Sequence, residues 1–154
     1  MKDTKLLEKA LGLSKPWKVV KVNFNAEKKR LDIHLDFSKG GKFTPVPGTG
    51  ECSECGEMSS VYDTKEKEWR HLNFFQHECY LHARTPRTDC DECGVRLVEV
   101  PWSRPQSGFT LLFEALVMEL CKMMPINAVS RLIGEIDNRI WRIIEHHVAP
   151  VLAQ

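Results

Sequence analysis

The chain has 154 residues, of which 42% are apolar and 28% are charged. This composition can supply the core of one domain or of two small ones, and it excludes a wholly disordered chain. The net charge of +1 taken alone argues against a nucleic-acid-binding protein, since phosphate binding usually leaves an excess of basic residues.

The charge is unevenly distributed, however. Residues 1–50 carry 11 basic and 5 acidic side chains, residues 51–100 carry 6 and 11, and residues 101–154 carry 5 of each. The near-neutral total therefore no longer excludes a DNA partner. No apolar run reaches the ~18 residues of a membrane helix, and residues 1–11 have no apolar signal-peptide core. We expect a cytoplasmic protein that binds no membrane.

The first segment predicts a short polar helix in residues 1–10, followed by a β-hairpin. Apolar and charged residues alternate strictly from Leu31 to Phe37, which is typical of a half-buried strand. A polar run, residues 25–29, separates this strand from an apolar one that begins near Val19. We therefore expect a basic hairpin with one face in water.

The central segment contains two nearly identical units, Cys-Ser-Glu-Cys-Gly at 52–56 and Cys-Asp-Glu-Cys-Gly at 90–94. Two such turns can direct four thiolates at one ion, and the glycine after each can adopt the positive φ that the turn needs. The spacing predicts one structural Zn²⁺ bound by Cys52, Cys55, Cys90 and Cys93. Iron and redox chemistry are weaker alternatives, and disulfides are disfavoured in a cytoplasmic chain.

Short strands are expected between and after the two cysteine pairs. A charged turn over residues 63–68 would separate two of them, and Pro86 would end a third. These strands and the zinc together predict a small antiparallel zinc-ribbon-like domain that depends on its metal. Four nearby side chains could be read as a second metal site, but alternation along a strand explains their spacing better. These side chains are His71, His77, Cys79 and His82.

From residue 105 the periodicity becomes helical. We predict one helix near 108–123 with Ser107 as its N-cap, and a second that begins at Pro125 and ends at Gly134. A third helix over 138–148 would have Asp137 as its N-cap. The fold class is thus α+β, with a β-hairpin and zinc-binding domain in residues 1–104 and a three-helix domain in residues 105–154.

Two helices joined by a tight glycine turn are typical of a helix-turn-helix, in which the last helix reads the major groove. Polar side chains away from its apolar stripe would then contact double-stranded DNA, together with one on the preceding helix: Asn138, Arg139, Arg142, His146 and Arg131. Periodicity alone leaves a plain three-helix bundle with a solvated polar face equally open.

Several motifs occur in an order that resembles the N-terminal part of transposases of the ISL-three insertion-sequence family. They include Trp69-Arg70-His71-Leu72, Tyr80-Leu81-His82-Ala83-Arg84 and Val100-Pro101-Trp102, besides the two cysteine units. The resemblance implies a bacterial, nucleoid-associated protein whose zinc domain and helix-turn-helix recognise terminal inverted repeats, alone or as a homo-oligomer on DNA. This chain departs from the family at Ser53, where proline is usual, and it has an apparent insertion at residues 45–50.

Family members continue into a catalytic domain with a DDE acidic triad, and no such triad can be assigned in these 154 residues. The resemblance therefore implies a non-catalytic chain with no small-molecule substrate: a fragment, a truncated reading frame or an isolated binding unit. The alternative function is a zinc-ribbon module for protein interaction or self-association, which the acidic middle segment favours.

Overall fold

The computed structural model describes residues 3–38, 42–43, 59–90 and 94–153. The chain divides into two compact units, residues 1–110 and 111–154, which we call the sheet unit and the helical unit. The strands lie in the first unit and three of the four described helices lie in the second, so the predicted α+β class is confirmed. Within the described ranges, every helix is too short or too polar to cross a membrane.

In the described residues, the sheet unit contains one short helix and six strands. Their order across the sheet is β1-β2-β5-β4-β3, and β6 pairs with β5 beyond this path. The bounds are α1 (Asp3–Ala10), β1 (Trp17–Asn25), β2 (Arg30–Phe37), β3 (Lys42–Phe43), β4 (Ser59–Phe74), β5 (His77–Cys90) and β6 (Gly94–Leu97).

This sheet is neither small nor wholly antiparallel, which corrects the predicted topology. The β1–β2 hairpin forms as expected, but β2 lies parallel to β5, with Leu31 opposite Cys79 and Leu35 opposite Ala83. Local alternation predicts that a segment is a strand and says nothing of its partner. The parallel pairing joins residues about 50 positions apart, and burial of both strands on one face stabilises it.

Strand β4 is much longer than predicted, because residues 63–68 form part of it and not a turn. They pair with residues 82–87 of β5, and Asp63 forms an ion pair with Arg87 across the ribbon. Charged residues can occupy a strand where cross-strand partners match them. Pro86 also lies inside β5, where its carbonyl accepts a hydrogen bond from the Val98 N–H at 3.0 Å.

The core of the sheet unit lies under β1, β2, β5 and β4. Three tryptophans meet there in edge-to-face contacts, with ring centroids 4.8 Å apart for Trp17 and Trp102 and 5.3 Å apart for Trp69 and Trp102. Ile33 and Leu81 are fully buried beside them. This part of the sheet thus buries an apolar core formed by its own side chains.

The helical unit consists of α2 (Leu111–Met123), α3 (Ile126–Ile133) and α4 (Asp137–Leu152), which pack on one another. Its buried apolar side chains come from all three helices: Phe113, Val117, Val129, Ile133, Ile140 and Ile143. Helix α4 continues past the predicted end at residue 148 and contains Pro150 in its last turn.

Helix α2 begins later than predicted, since residues 108–110 hydrogen-bond to the sheet. The Arg70 N–H donates to the Gly108 carbonyl at 2.8 Å, and the Thr110 N–H donates to the Arg70 carbonyl at 2.9 Å. Ser107 is therefore no N-cap of α2; its Oγ accepts from the Phe109 N–H. Of the apolar residues on α2, Phe113 and Val117 are buried, whereas Leu112 is 52% exposed.

Candidate metal site and nucleic-acid interface

In the sequence, one cysteine unit precedes β4 and the other begins at the end of β5, and the sheet pairs these two strand ends. Residues 44–58, which contain Cys52 and Cys55, lie outside the described residues, but they connect β3 to β4, whose ends pair as Phe43 with Ser59. Strand β5 runs antiparallel to β4, with Val61 opposite Thr88. The start of β4 and the end of β5 therefore lie side by side. In the sequence, the first cysteine unit precedes β4 and the second begins at the last residue of β5.

The second cysteine unit occupies the connection of a tight hairpin. Cys90 at the end of β5 pairs with Gly94 at the start of β6, and Cys93 lies outside the described residues. Gly94 has a φ of +73°, the conformation that the sequence pattern required of the glycine after the second thiolate. Four thiolates on two neighbouring turns suit Zn²⁺ and leave it no open position. The backbone and the donor chemistry fit the metal.

The remaining cysteines have ordinary structural environments. Cys79 is buried, and burial raises the pKa of its thiol to about 12, which makes it a poor nucleophile and ligand. Cys121 is half-buried, and its pKa is also raised by burial. Among the described residues no group of three His, Cys, Asp or Glu side chains is placed to hold a metal.

Histidines on the sheet form polar contacts. The His82 Nε2 lies 2.6 Å from the Asp32 Oδ1, and its ring stacks on His34 with centroids 4.7 Å apart. Partial burial works against ionisation of Asp32, but hydrogen bonds from Arg30 and His82 keep its pKa below the usual value. Burial and the nearby His82 lower the pKa of His34. The result is a solvated polar network on the face of the sheet.

A glycine turn connects α3 and α4, as the sequence predicted. Gly134 ends α3 in the left-handed conformation, with φ +73° and ψ +31°, and its N–H donates to the Ser130 carbonyl at 2.9 Å. Pro125 holds the N-cap position of α3. At α4 this position belongs to Ile136, and Asp137 is the first helical residue, so the predicted cap is one residue late.

Most of the predicted DNA contacts project from the helical unit into solvent. Ile140 and Ile143 bury one face of α4, and the opposite face exposes Asn138 and Arg142 one helical turn apart. His146 and, on α3, Arg131 are also exposed. This leaves a polar face at the start of α4 whose donors can approach a ligand.

Arg139 differs from the other predicted contacts. Its Nη1 donates to the Glu135 Oε2 at 2.7 Å, and the Glu135 side chain is only 7% exposed. The guanidinium thus stabilises a buried carboxylate in the turn. Within the same unit, the Nε2 of His147 on α4 lies 3.1 Å from the Oε1 of the buried Glu114 on α2. The sequence did not reveal these roles, because neither partner belongs to a recognisable motif.

Sequence reasoning also missed two exposed aromatic groups. Trp141 on α4 is 49% exposed beside the polar face. Phe74 and Phe75 lie at the connection between β4 and β5, at the hairpin end opposite the cysteine units. The sequence Asn73-Phe74-Phe75-Gln76 contains no glycine or proline and gave no turn signal.

Comparison with known families identifies two matching regions. Residues 98–148 match the helix-turn-helix domain of transposase family ISL3, and residues 48–93 match the zinc-finger of transposase IS204/IS1001/IS1096/IS1165. The second region contains all four predicted zinc ligands, and the first contains α2, α3 and most of α4. The zinc-ribbon and helix-turn-helix parts of the α+β prediction are thus confirmed at the level of domain family.

Two curated relatives also match. Both are described as the transposase for insertion sequence element IS1557 of Mycobacterium tuberculosis, one from strain CDC 1551 / Oshkosh and one from strain ATCC 25618 / H37Rv. Each is 32% identical over 108 residues, which covers 63% of this chain and 24% of the relative. The match thus spans about a quarter of the relatives' length. No solved structure gives a significant match.

Proposed function

Because the chain belongs to transposase family ISL3 over its zinc-ribbon and helix-turn-helix regions, we propose that it is the DNA-binding region through which such a transposase recognises the terminal inverted repeats of its mobile element. The observation that carries this proposal is the α3–Gly134–α4 turn inside the matched region, with Asn138 and Arg142 exposed at the start of α4.

In this proposal α2, α3 and α4 form the helix-turn-helix, and α4 enters the major groove. Asn138 would read adenine and Arg142 guanine, since these side chains match the donor and acceptor pattern of those bases. His146 and Arg131 would contact phosphates on either side. Arg139 contributes mainly through Glu135, by fixing the angle at which α4 leaves the turn.

We propose that Cys52, Cys55, Cys90 and Cys93 hold one Zn²⁺. The bound ion would lock the β3–β4 and β5–β6 connections together, and its closed coordination would leave no position for a reacting water. The topology supports this assignment, because both connections lie at one end of the β4–β5 hairpin. The domains are then residues 1–104 for metal binding and 105–154 for DNA reading.

The chemistry proposed for these residues is binding and not catalysis. A four-thiolate zinc site activates no nucleophile, and the matched regions are named for a zinc-finger and a helix-turn-helix. The partner is double-stranded DNA in the bacterial cytoplasm, with no small-molecule substrate. Transposition chemistry itself is not assigned to any residue described above.

A binding assay with two DNA duplexes tests the function. The zinc-loaded chain is titrated against a duplex of the element's terminal repeat and against a shuffled duplex of equal composition, over a range of salt concentrations. The repeat should bind more tightly, with a modest salt slope, because the helical unit carries four basic and five acidic residues. Equal affinity for both duplexes at every salt concentration would refute specific recognition.

Self-association is a second candidate, favoured by one feature of α2. Leu112, Leu116 and Met123 lie on one side of this helix and are 52%, 39% and 70% exposed. An apolar line of this kind is typical of a surface that another protein copy covers. Sedimentation without DNA tests it: dimers that Leu116→Lys disrupts would support self-association, and a monomer at all concentrations would exclude it.

A further inference from the structure

The turn at the tip of the β4–β5 hairpin has a backbone conformation that its residue type disfavours. Phe75 occupies the first position of the two-residue turn between β4 and β5, and its φ is +54°. Positive φ at this position normally selects Gly, Asn or Asp, because a Cβ clashes with the backbone there. A bulky aromatic residue therefore makes the turn less stable than a glycine would.

The exposure of the Phe75 side chain is a second unfavourable feature of the tip. Phe75 is 83% exposed and packs edge-on against Phe74, which is itself 42% exposed, with ring centroids 4.8 Å apart. Exposed phenyl groups gain nothing from the hydrophobic effect in the isolated chain. Folding thus explains neither the backbone strain nor the exposure, and residues of this type mark functional sites.

The tip is braced against the β1–β2 turn. The Glu78 N–H donates to the Lys29 carbonyl at 2.9 Å, and the Phe24 ring lies 4.7 Å from the ring of His77. Phe24 is also 54% exposed. Three exposed phenyl groups therefore lie at one end of the sheet, in or beside two turns that contact each other.

The same end carries positive charge. Lys28 and Lys29 lie in the β1–β2 turn and are exposed, and neither forms an ion pair with a described residue. Glu27 is the exposed acid beside them, whereas Glu78 is engaged by Arg70 at 2.9 Å. Basic side chains next to exposed aromatic rings are complementary to phosphates next to base faces.

We propose that this aromatic tip, formed by Phe24, Phe74 and Phe75 with Lys28 and Lys29, is a second DNA-contacting surface. The lysines bind the phosphate backbone, and the phenyl groups insert against the bases of the duplex as an apolar wedge. This contact is independent of base sequence, so it adds affinity and bends the DNA, while α4 supplies specificity. The inference rests on the proposed function, since it extends DNA binding from the helical unit to the sheet unit.

The test uses Phe75→Gly, because this change predicts opposite effects on folding and on binding. Glycine relieves the positive-φ strain, so the melting temperature should stay the same or rise. Affinity for both the repeat and the shuffled duplex should fall by roughly tenfold, as for loss of one aromatic–base contact. The DNA bend, measured by energy transfer between end-labelled dyes, should decrease as well.

Matched variants separate the tip from general effects. Tyr62→Ser removes another exposed aromatic group of β4, far from the tip, and should leave affinity unchanged. The double change Lys28→Gln and Lys29→Gln should lower the salt slope by about 2, whereas the same change at Lys5 and Lys9 of α1 should not alter it.

Full affinity and full bending in Phe75→Gly would overturn the inference while leaving the proposed function intact. Equal binding of both duplexes by the unaltered chain, with a loss of affinity in Phe75→Gly, would support the tip and refute recognition by α4. If Phe75→Gly instead abolishes a dimer without changing affinity for DNA, the tip is a protein contact and the inference is wrong. Absence of any DNA binding would refute both proposals.

Discussion

The sheet unit and the helical unit differ in where their stability comes from. The sheet unit buries a cluster of three tryptophans and carries the proposed metal site at one end of its β4–β5 hairpin. The helical unit has a small core of six apolar side chains, and many others of its apolar residues stay exposed. The proposed metal site thus belongs to the unit with the larger core, and the proposed DNA-reading helix α4 belongs to the unit with the smaller core.

The largest expected effect is that of removing zinc, which should unfold one part of the sheet unit and leave the other part folded. Chelation should abolish hydrogen-exchange protection in β6 and at the adjoining ends of β4 and β5, because zinc binding contributes on the order of 10 kcal/mol to folding of such a site. The tryptophan core should persist, so tryptophan fluorescence should change little. Cys55→Ser should mimic chelation.

Cys121→Ser provides the matched control, since Cys121 lies on α2, far along the chain from both cysteine units. It should keep one zinc per chain by mass spectrometry. If chelation left protection unchanged throughout the sheet, the structural-zinc proposal would be wrong. If chelation unfolded the tryptophan core as well, the metal would support the entire sheet unit. The stability of this unit would then not come mainly from its apolar core.

In the helical unit the largest effect should come from its core. Ile140 is fully buried on α4, and Ile140→Ala should lower the free energy of unfolding by about 2–5 kcal/mol, through lost burial and the cavity that remains. Ile136, four residues before the first buried position of α4, is 63% exposed, and Ile136→Ala should cost less than about 0.5 kcal/mol. Denaturant titration followed by circular dichroism measures both; equal effects would contradict the assigned core.

Acid should destabilise the sheet unit through His71. Burial lowers the pKa of this side chain to about 4, and its Nδ1 lies 2.8 Å from the Thr110 Oγ1. Because the unfolded chain binds this proton near pH 6.5, stability is complete above that pH and declines as the pH falls toward 4, by about 3 kcal/mol in total. With zinc in excess, His71→Asn should flatten this part of the pH profile. An unchanged profile in the variant would show that another group is responsible.

Short-range patterns predicted well and long-range pairing did not. The Cys-x-x-Cys-Gly units fixed the place and φ of Gly94, and Gly134 ended α3 as expected, because both depend on a few adjacent residues. The extension of β4 through residues 63–68 depends on partners in β5, about 20 positions away. Composition alone favours a turn for such a charged run.

The same limit applies to the candidate contacts. Periodicity placed Asn138, Arg142 and His146 on an exposed face, but it could not show that Glu135 engages Arg139 or that Arg70 holds residues 108–110 in the sheet. Whether an arginine is exposed for a ligand or tied to a buried acid depends on the fold of the turn. The aromatic tip went unnoticed for a related reason, since its strain at Phe75 is a backbone property.

The smallest and most specific effect compares two arginines of one helix. Arg142 is exposed, and Arg142→Ala should weaken binding to the terminal repeat by about 1–3 kcal/mol without changing unfolding. Arg139→Ala should instead lower stability by about 1 kcal/mol, because Glu135 loses an ion-pair partner in a nearly buried position. Fluorescence anisotropy and thermal denaturation measure the two quantities on the same samples. If Arg139→Ala weakened DNA binding at full stability while Arg142→Ala left binding unchanged, the two roles would be reversed. Arg139 would then lie on the side of α4 that faces the groove.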